Sequence, residues 1–422
     1  MPERGCPDAF FALKQALKKR KEHNLDSWVL FLDLVKAFDT VPHDALWRVL
    51  RKRGIPPRLL GRVRALHRDV NVMLPVGDAS ASFGYTIGVK QGDSLAPVLF
   101  LFYIQAVLET LDRSSWDTPR FRFKMDDRLN GRSWRARGSD FYFPWSVYAD
   151  DTAMVFGSRP DLERGTHVLR AHFKRWGLSI HVGTHGKKSK TEAMLVPRPR
   201  SNYADYDTSD LLLDDGAHVH FTRTFRYLGV VLSSSINDMA DVESRIAAAS
   251  GAFRKLESVF LNRRVKPRAK RAAYVAVVLP ILIYGSEAWN LTEAMYAKLR
   301  RFHNYCTRRM LLLSQRLCRF HHISARYIQR RLGILDIDAY ITRRHLRWAG
   351  HVARMSEDRL PRRFLSCWVR NPRPTGCPHF TYARGLFKSL KKVDILRADW
   401  YDLAQEREPW RKLIAKQFTE KL

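Results

Sequence analysis

Three aspartates stand where carboxylates are expensive. Asp33 closes the apolar run Trp28-Val29-Leu30-Phe31-Leu32, and Asp150-Asp151 lies between Val147-Tyr148-Ala149 and Ala153-Met154-Val155-Phe156. Such runs read as buried strands, which places Asp150 and Asp151 in a tight turn between two of them. Two like charges beside a low-dielectric core raise one another's pKa unless a cation compensates. If the strand ending in Asp33 neighbours that turn, three carboxylates converge and a hard divalent cation answers them. Mg²⁺ takes oxygen ligands, commonly one or two carboxylates together with substrate phosphates. Two such ions suit nucleotidyl transfer, activating the attacking hydroxyl and stabilising the leaving oxygen. A cap at Asp33 and a filled turn at Asp150-Asp151 account for the same pattern, and local sequence leaves both readings open. Asp126-Asp127, beside Lys124 and Arg128, and Asp214-Asp215-Gly216 have the composition of solvated turns.

The elements that must position these residues follow from periodicity and punctuation. A helix is expected over residues 8 to about 20, where Phe11, Leu13, Ala16 and Leu17 recur at helical spacing among lysines. Thr40-Val41-Pro42 opens a helix that runs through Leu50, with Gly54 and two prolines as stop signals. Residues 83–89 read as extended. Gly92-Asp93-Ser94 then leads into a helix over 95–111, apolar around most of its circumference and therefore expected to be buried. Residues 113–140 are polar, basic and rich in turn formers, an insertion or hairpin between core elements. Residues 146–156 read as strand, turn, strand, and 161–176 as an amphipathic helix. Short strands are expected at 193–196, 211–213, 218–221 and 227–232, and mainly basic helices from Ala240 onward.

A chain of 422 residues exceeds the roughly 250–300 at which single cores stop growing, so two or more subdomains are expected. Hydrophobic residues at 45% supply enough apolar surface to fold. Lysine and arginine number 74 against 42 acidic residues, a net +32 that points to a polyanion, with nucleic acid favoured over a membrane surface. No run of 18 apolar residues and no signal segment is found, which sets the expectation of no membrane and an intracellular chain. The five cysteines show no CxxC pair. Cys306 and Cys318 with His321 and His322, or Cys367 and Cys377 with His379, could be drawn as zinc sites, but the spacing favours ordinary buried thiols.

A set of ordered blocks adds to this reading. Asp8-Ala9-Phe10-Phe11-Ala12-Leu13-Lys14-Gln15 comes first, then Phe31-Leu32-Asp33-Leu34-Val35-Lys36-Ala37-Phe38-Asp39, then Gly88-Val89-Lys90-Gln91-Gly92-Asp93-Ser94-Leu95-Ala96-Pro97. Tyr148-Ala149-Asp150-Asp151, Gly177-Leu178 with Lys190-Thr191-Glu192, and Phe225-Arg226-Tyr227-Leu228-Gly229 follow. In this order they resemble the helix upstream of the palm, motifs A, B, C and D, and the succeeding block of the reverse transcriptases of non-LTR (LINE-type) retrotransposons. Leu282-Ile283-Tyr284-Gly285-Ser286-Glu287-Ala288-Trp289, Leu346-Arg347-Trp348-Ala349-Gly350-His351 and Trp410-Arg411 resemble thumb, post-thumb and C-terminal segments of the same elements.

The resemblance implies an α+β right-hand polymerase with a ferredoxin-like palm, truncated fingers, a helical thumb and a basic helical C-terminal region. Its divisions would be 1–28 as a remnant of the fingers, 29–235 as palm with part of the fingers, 236–345 as thumb and 346–422 as the basic region. It implies an RNA-directed DNA polymerase using two Mg²⁺ ions, with Mn²⁺ as a substitute, an RNA template, a DNA primer and deoxynucleoside triphosphates. A non-catalytic nucleic-acid-binding remnant of a retroelement is the second reading. Because finger blocks and an endonuclease domain are not found, an N-terminally truncated chain is expected, with a separate endonuclease or finger-bearing segment as partner. A nuclear or cytoplasmic ribonucleoprotein is the expected setting.

Carried over by position, Asp33 and Asp150 become the principal metal ligands, Asp151 the third carboxylate, and the Leu34 carbonyl a further ligand. Phe38 matches the ring that packs under the incoming sugar and excludes a 2′-hydroxyl; a core aromatic is the plainer alternative. Gln91, Gly92 and Ala149 match positions lining the nucleotide. Lys190 matches the lysine that protonates pyrophosphate, with Lys187 and Lys188 as competitors. Tyr148 would support the hairpin or contact the primer end. Arg343, Arg344 and Arg347, with Trp348 nearby, would contact phosphates and stack on bases, or form a solvated helical face.

Overall fold

The computed structural model describes residues 5–68, 70–76, 79–84, 86–90, 92–123, 138–184, 188–371 and 381–419. Gln91, Lys187, Cys377, His379 and the pair Asp126-Asp127 lie outside them.

One sheet organises the chain. Its strands lie in the order Trp145–Tyr148, Asp151–Phe156, Ser27–Leu32, Glu192–Val196, His218–Phe221 and Leu211–Leu212. Ser27–Leu32 is antiparallel to both neighbours, whereas His218–Phe221 runs parallel to Glu192–Val196. The central strand is buried at every residue, because both faces of the sheet are covered. Trp28, Leu30 and Leu32 join Met154, Phe156, Ala193 and Leu195 on one face. Val29 and Phe31 join Ala153, Val155, Met194 and Val196 on the other. A period of two thus splits one apolar run between two cores.

Helices Ala96–Glu109 and Arg159–Arg175 cover the first face through Leu99, Phe100, Tyr103, Leu162, Leu169 and Phe173. Gly165 lets the second of them lie close: a Cβ there would come within 2.3 Å of the Phe156 ring. The opposite face carries helix Cys6–Glu22, through Phe10, Phe11, Leu13 and Leu17, and the helices Ile337–Ala353, Tyr382–Lys391 and Arg407–Thr419. Each large side chain sealed there contributes roughly 1.5–3 kcal/mol. A third core, with Val242, Phe253, Trp289, Leu299 and Met310, forms among the helices that follow the sheet. Among the described residues no helix is long and apolar enough to cross a membrane.

Several local expectations change. Pro56 and Pro57 do end helix His43–Lys52, but Pro57 then occupies the first turn of a further helix, Pro57–Ala65, where a missing N–H costs nothing. Helix Ala96–Glu109 buries one face only, since Val98 and Leu101 are exposed. Residues 227–232 are not one strand. Thr224–Tyr227 and Val230–Ser233 form a hairpin around Leu228-Gly229, both with positive φ as a tight two-residue turn demands. Strands Arg120–Phe123 and Ser139–Tyr142 pair antiparallel within the stretch expected to be an insertion or hairpin. Asn71–Val76 and Ala79–Gly84 pair where only residues 83–89 were expected to be extended.

Candidate active site

Strand register brings the three aspartates to one end of the sheet. Leu32 pairs with Thr152, so the next residues at that end of the two strands are Asp33 and Asp151. Tyr148 pairs with Asp151, leaving Ala149-Asp150 as a two-residue turn. Ala149 takes φ 54° there, which costs a residue with a Cβ about 1–2 kcal/mol. Such hairpin turns need a positive φ at the first central position to match strand twist. The Tyr227 hydroxyl anchors the hairpin from beneath, donating to the Ser146 carbonyl at 3.0 Å.

Asp33 is held through its backbone. Its N–H donates to Thr191 Oγ1 at 3.1 Å, and its carbonyl accepts from the His181 N–H at 2.8 Å. Its carboxylate remains half-exposed. The Asp151 carboxyl is raised above the usual range by partial desolvation first, then by Asp150 and by Asp33. Three oxygen donors therefore share one electrostatic field. Among the described residues one cation approaches it: Lys190 Nζ is 4.0 Å from Asp33 Oδ2. The Lys190 N–H donates to His181 Nδ1 at 3.2 Å, so the residue flanks the same backbone that pins Asp33. Lys188 instead acts on Glu192. Among the described residues one ammonium faces these three carboxylates, an excess of negative charge that a divalent cation relieves, while their oxygens stand farther apart than the 4.8 Å within which the Asp210, His218 and His220 ligand atoms gather.

The two loops beside the carboxylates are tied together. Phe38 O accepts from the Val89 N–H at 2.7 Å, and Val41 O from the Gly88 N–H at 2.8 Å. Leu34 is buried and bridges to Ile180. The Phe38 ring stacks on Phe100, with centroids 4.7 Å apart and planes at 28°, yet stays partly exposed. Gly92 has φ 87° with open space around its missing Cβ, so its backbone conformation, not crowding by the protein, calls for glycine.

Tyr148, expected to support the hairpin or contact the primer end, lies at the end of strand Trp145–Tyr148 beside the turn. Its half-exposed phenol is raised first by a hydrogen bond with the Cys6 thiol, then by Tyr284 and Asp8. The basic set divides. Arg344 donates to the Ile283 carbonyl at 2.6 Å and lies 3.8 Å from Glu287. Arg343 is partly buried, and Arg347 is exposed. Trp348 is not a stacking platform: it is buried in the core, edge-on to Phe11 with centroids 5.4 Å apart. Cys306 is likewise a core thiol, pushed up by burial. Among the described residues one cluster has metal-ligand spacing, Asp210, His218 and His220. It was missed in sequence; two histidines at i and i+2 on one strand face were the signal.

The mixed α+β fold, with three aspartates at one end of its central sheet, is consistent with a polymerase fold. The family model described as reverse transcriptase (RNA-dependent DNA polymerase) matches residues 2–232, and the chain belongs to that family. It is 25% identical over 279 residues to a transposon-derived protein of Caenorhabditis elegans, covering 64% of this chain and 95% of that one. It is 24% identical over 308 residues to the retrovirus-related Pol polyprotein of retrotransposable element R2 from Popillia japonica, covering 72% of this chain and 45% of the polyprotein. Over 337 residues it is 24% identical to a Drosophila melanogaster protein named as the RNA-directed DNA polymerase of transposon BS, covering 77% and 33%. The chain thus spans less than half of those two relatives.

Proposed function

We propose that this chain is the polymerase portion of a non-LTR retrotransposon protein and copies RNA into DNA, extending a DNA primer with deoxynucleoside triphosphates. The observation that carries the reading is the convergence of Asp33 and Asp151 from paired strands, with Asp150 at the hairpin tip. The sheet with its two covering helices serves as a ferredoxin-like palm, and the helices after it as the thumb.

Asp33, Asp150, Asp151 and the Leu34 carbonyl would hold two divalent ions, Mg²⁺ or Mn²⁺. Bound there, the ions supply a lowered pKa at the attacking 3′-hydroxyl and charge neutralisation at the leaving oxygen. The chain's own residues do the rest. Phe38, backed by Phe100, forms the floor beneath the sugar and leaves no room for a 2′-hydroxyl. Gly92 and Ala149 let backbone approach the nucleotide, and Lys190 Nζ offers a proton to pyrophosphate.

Primer extension on an RNA template tests the proposal. The purified chain should extend the primer with Mg²⁺ or Mn²⁺ and its Asp150→Asn variant should not. Equal product from both would remove the catalytic reading and leave a nucleic-acid-binding remnant.

A further inference from the structure

On the C-terminal side of the sheet a groove of about 970 Å³ opens between the start of helix Cys6–Glu22 and the helices Ile337–Ala353 and Arg407–Thr419. Arg347, Arg354, Arg359, Arg407 and Arg411 line it, against Asp8 as the one acidic lining residue among the described residues. The arginines come from separate segments, so this is not the charged face of one helix.

Internal contacts engage three of these five cations. Arg359 reaches Asp8 at 3.4 Å, and Arg354 donates to the Ala404 carbonyl at 2.5 Å. Arg411 lies 3.6 Å from Glu408, with both side chains largely exposed. Arg347 and Arg407 are exposed. The charges also oppose one another: Arg347 is lowered by desolvation first, then by Arg343, Arg411 and Arg344, and Arg354 by desolvation and Arg407. Guanidinium groups gathered at such repulsive distances are stabilised by a ligand carrying several negative charges, and their planar forks match phosphate oxygens.

The groove's wall is tied to the strand that leads into the Ala149-Asp150 turn. Gly5, Pro7 and Asp8 form that wall, and the carbonyl of the next residue, Ala9, accepts a hydrogen bond from Ser146 Oγ at 3.3 Å, on strand Trp145–Tyr148. We propose that this groove binds the phosphodiester backbone of a nucleic-acid strand running to or from the Ala149-Asp150 turn. The proposal rests on the polymerase reading for the direction of the strand, but not for the binding itself. The tie to that strand and the chain's +32 charge favour a nucleic acid over an acidic protein segment.

The test is fluorescence-anisotropy binding of labelled single-stranded RNA and, separately, single-stranded DNA to the full chain across a potassium chloride series. Arg347→Ala and Arg411→Ala together should weaken binding about tenfold at moderate salt. They should also lower the slope of log affinity against log salt by about one per arginine. Arg411→Lys should restore most of the slope. If RNA alone or DNA alone shows these changes, that strand is the occupant; both strands responding marks a track for either.

Unchanged affinity and slope on both strands would overturn the proposal. So would an equal loss from Arg316→Ala, on the exposed helix Gln315–Phe320, because net charge would then explain everything. Displacement of RNA by polyglutamate as effective as by unlabelled RNA would overturn it too. Arg411→Ala alone, at an exposed side chain, keeps the test usable should the double variant unfold. Asp150→Asn separates the two readings: it should bind with wild-type slope while extending no primer.

Discussion

The Asp238 carboxylate accepts a hydrogen bond from the Lys14 ammonium, both sealed from solvent, and joins helix Cys6–Glu22 to the start of helix Met239–Lys255. Lys18 adds a second cation 3.6 Å away, and the Asn290 N–H donates to the same carboxylate at 2.7 Å. Burial pushes Lys18 down to about 8, while the lysines hold Asp238 below the usual carboxylate range despite its own burial. One buried anion thereby fastens the element behind the catalytic hairpin to the helices that follow the sheet.

Removing that anion should be costly. Asp238→Ala leaves two buried ammonium groups and is expected to lower unfolding free energy by about 3–5 kcal/mol. Lys14→Met with Asp238→Leu should recover part of the loss, because no charge of that pair is then left buried alone. Urea denaturation of the single and double variants measures both effects.

Asp151 carries an electrostatic cost in the absence of a cation. Its folded pKa lies above the ordinary value, so stability declines as pH rises past about 4 and stays lower at neutrality. Asp151→Asn should therefore raise the thermal midpoint in chelator at pH 7 while primer extension falls more than about a hundredfold. Mg²⁺ or Mn²⁺ should raise the midpoint of the wild-type chain by preferential binding to the folded state, and that of Asp150→Asn much less.

Phe38 presents a partly exposed ring braced by Phe100, five residues after Asp33. Phe38→Val should increase use of ribonucleoside triphosphates roughly ten- to hundredfold relative to the deoxy forms, with folding intact. Single-nucleotide incorporation with each substrate decides it; an unchanged ratio would return Phe38 to an ordinary packing role.

His303 and His345 report on acid stability. Burial drives both down to about 4, from about 6.5 when unfolded. The unfolded chain therefore binds protons first, and stability present above pH 6.5 is lost as pH falls toward 4, by on the order of 3 kcal/mol per histidine. Unfolding free energies from denaturation at pH 7.5 and pH 5 should differ by roughly 2 kcal/mol per histidine, and His303→Gln should shrink the difference.

Lys190 approaches Asp33 from a largely exposed position. Lys190→Ala should lower kcat about ten- to hundredfold with little change in primer affinity, and Lys190→Arg should retain charge but shift the pH profile. A matching fall in primer binding would mark a merely electrostatic contact.

Much of the site is legible in residue order. Six consecutive sheltered residues at Ser27–Leu32 need cover on both faces, and the apolar runs around Asp150-Asp151 need a turn between them. Both follow from side-chain period and turn chemistry, which are local properties. The Pro57–Ala65 helix was obscured because proline both stops a helix and starts one.

Other relations came only with tertiary structure. The pairing of Leu32 with Thr152, which brings Asp33 to Asp151, is a choice of register made by packing on both sheet faces. Three lysines in one loop look alike in sequence, and the backbone around His181 sets Lys190 beside Asp33. Trp348 shares its stretch with arginines, yet its ring goes inward against Phe11 while Arg347 stays exposed and lines the groove. Lys14 meets Asp238, and Arg347 and Arg411 come to line one groove, across long spans of chain. The residue types and their order determined which chemistry this chain could carry; which groups meet was decided by non-local packing, because no local period records a neighbour two hundred residues away.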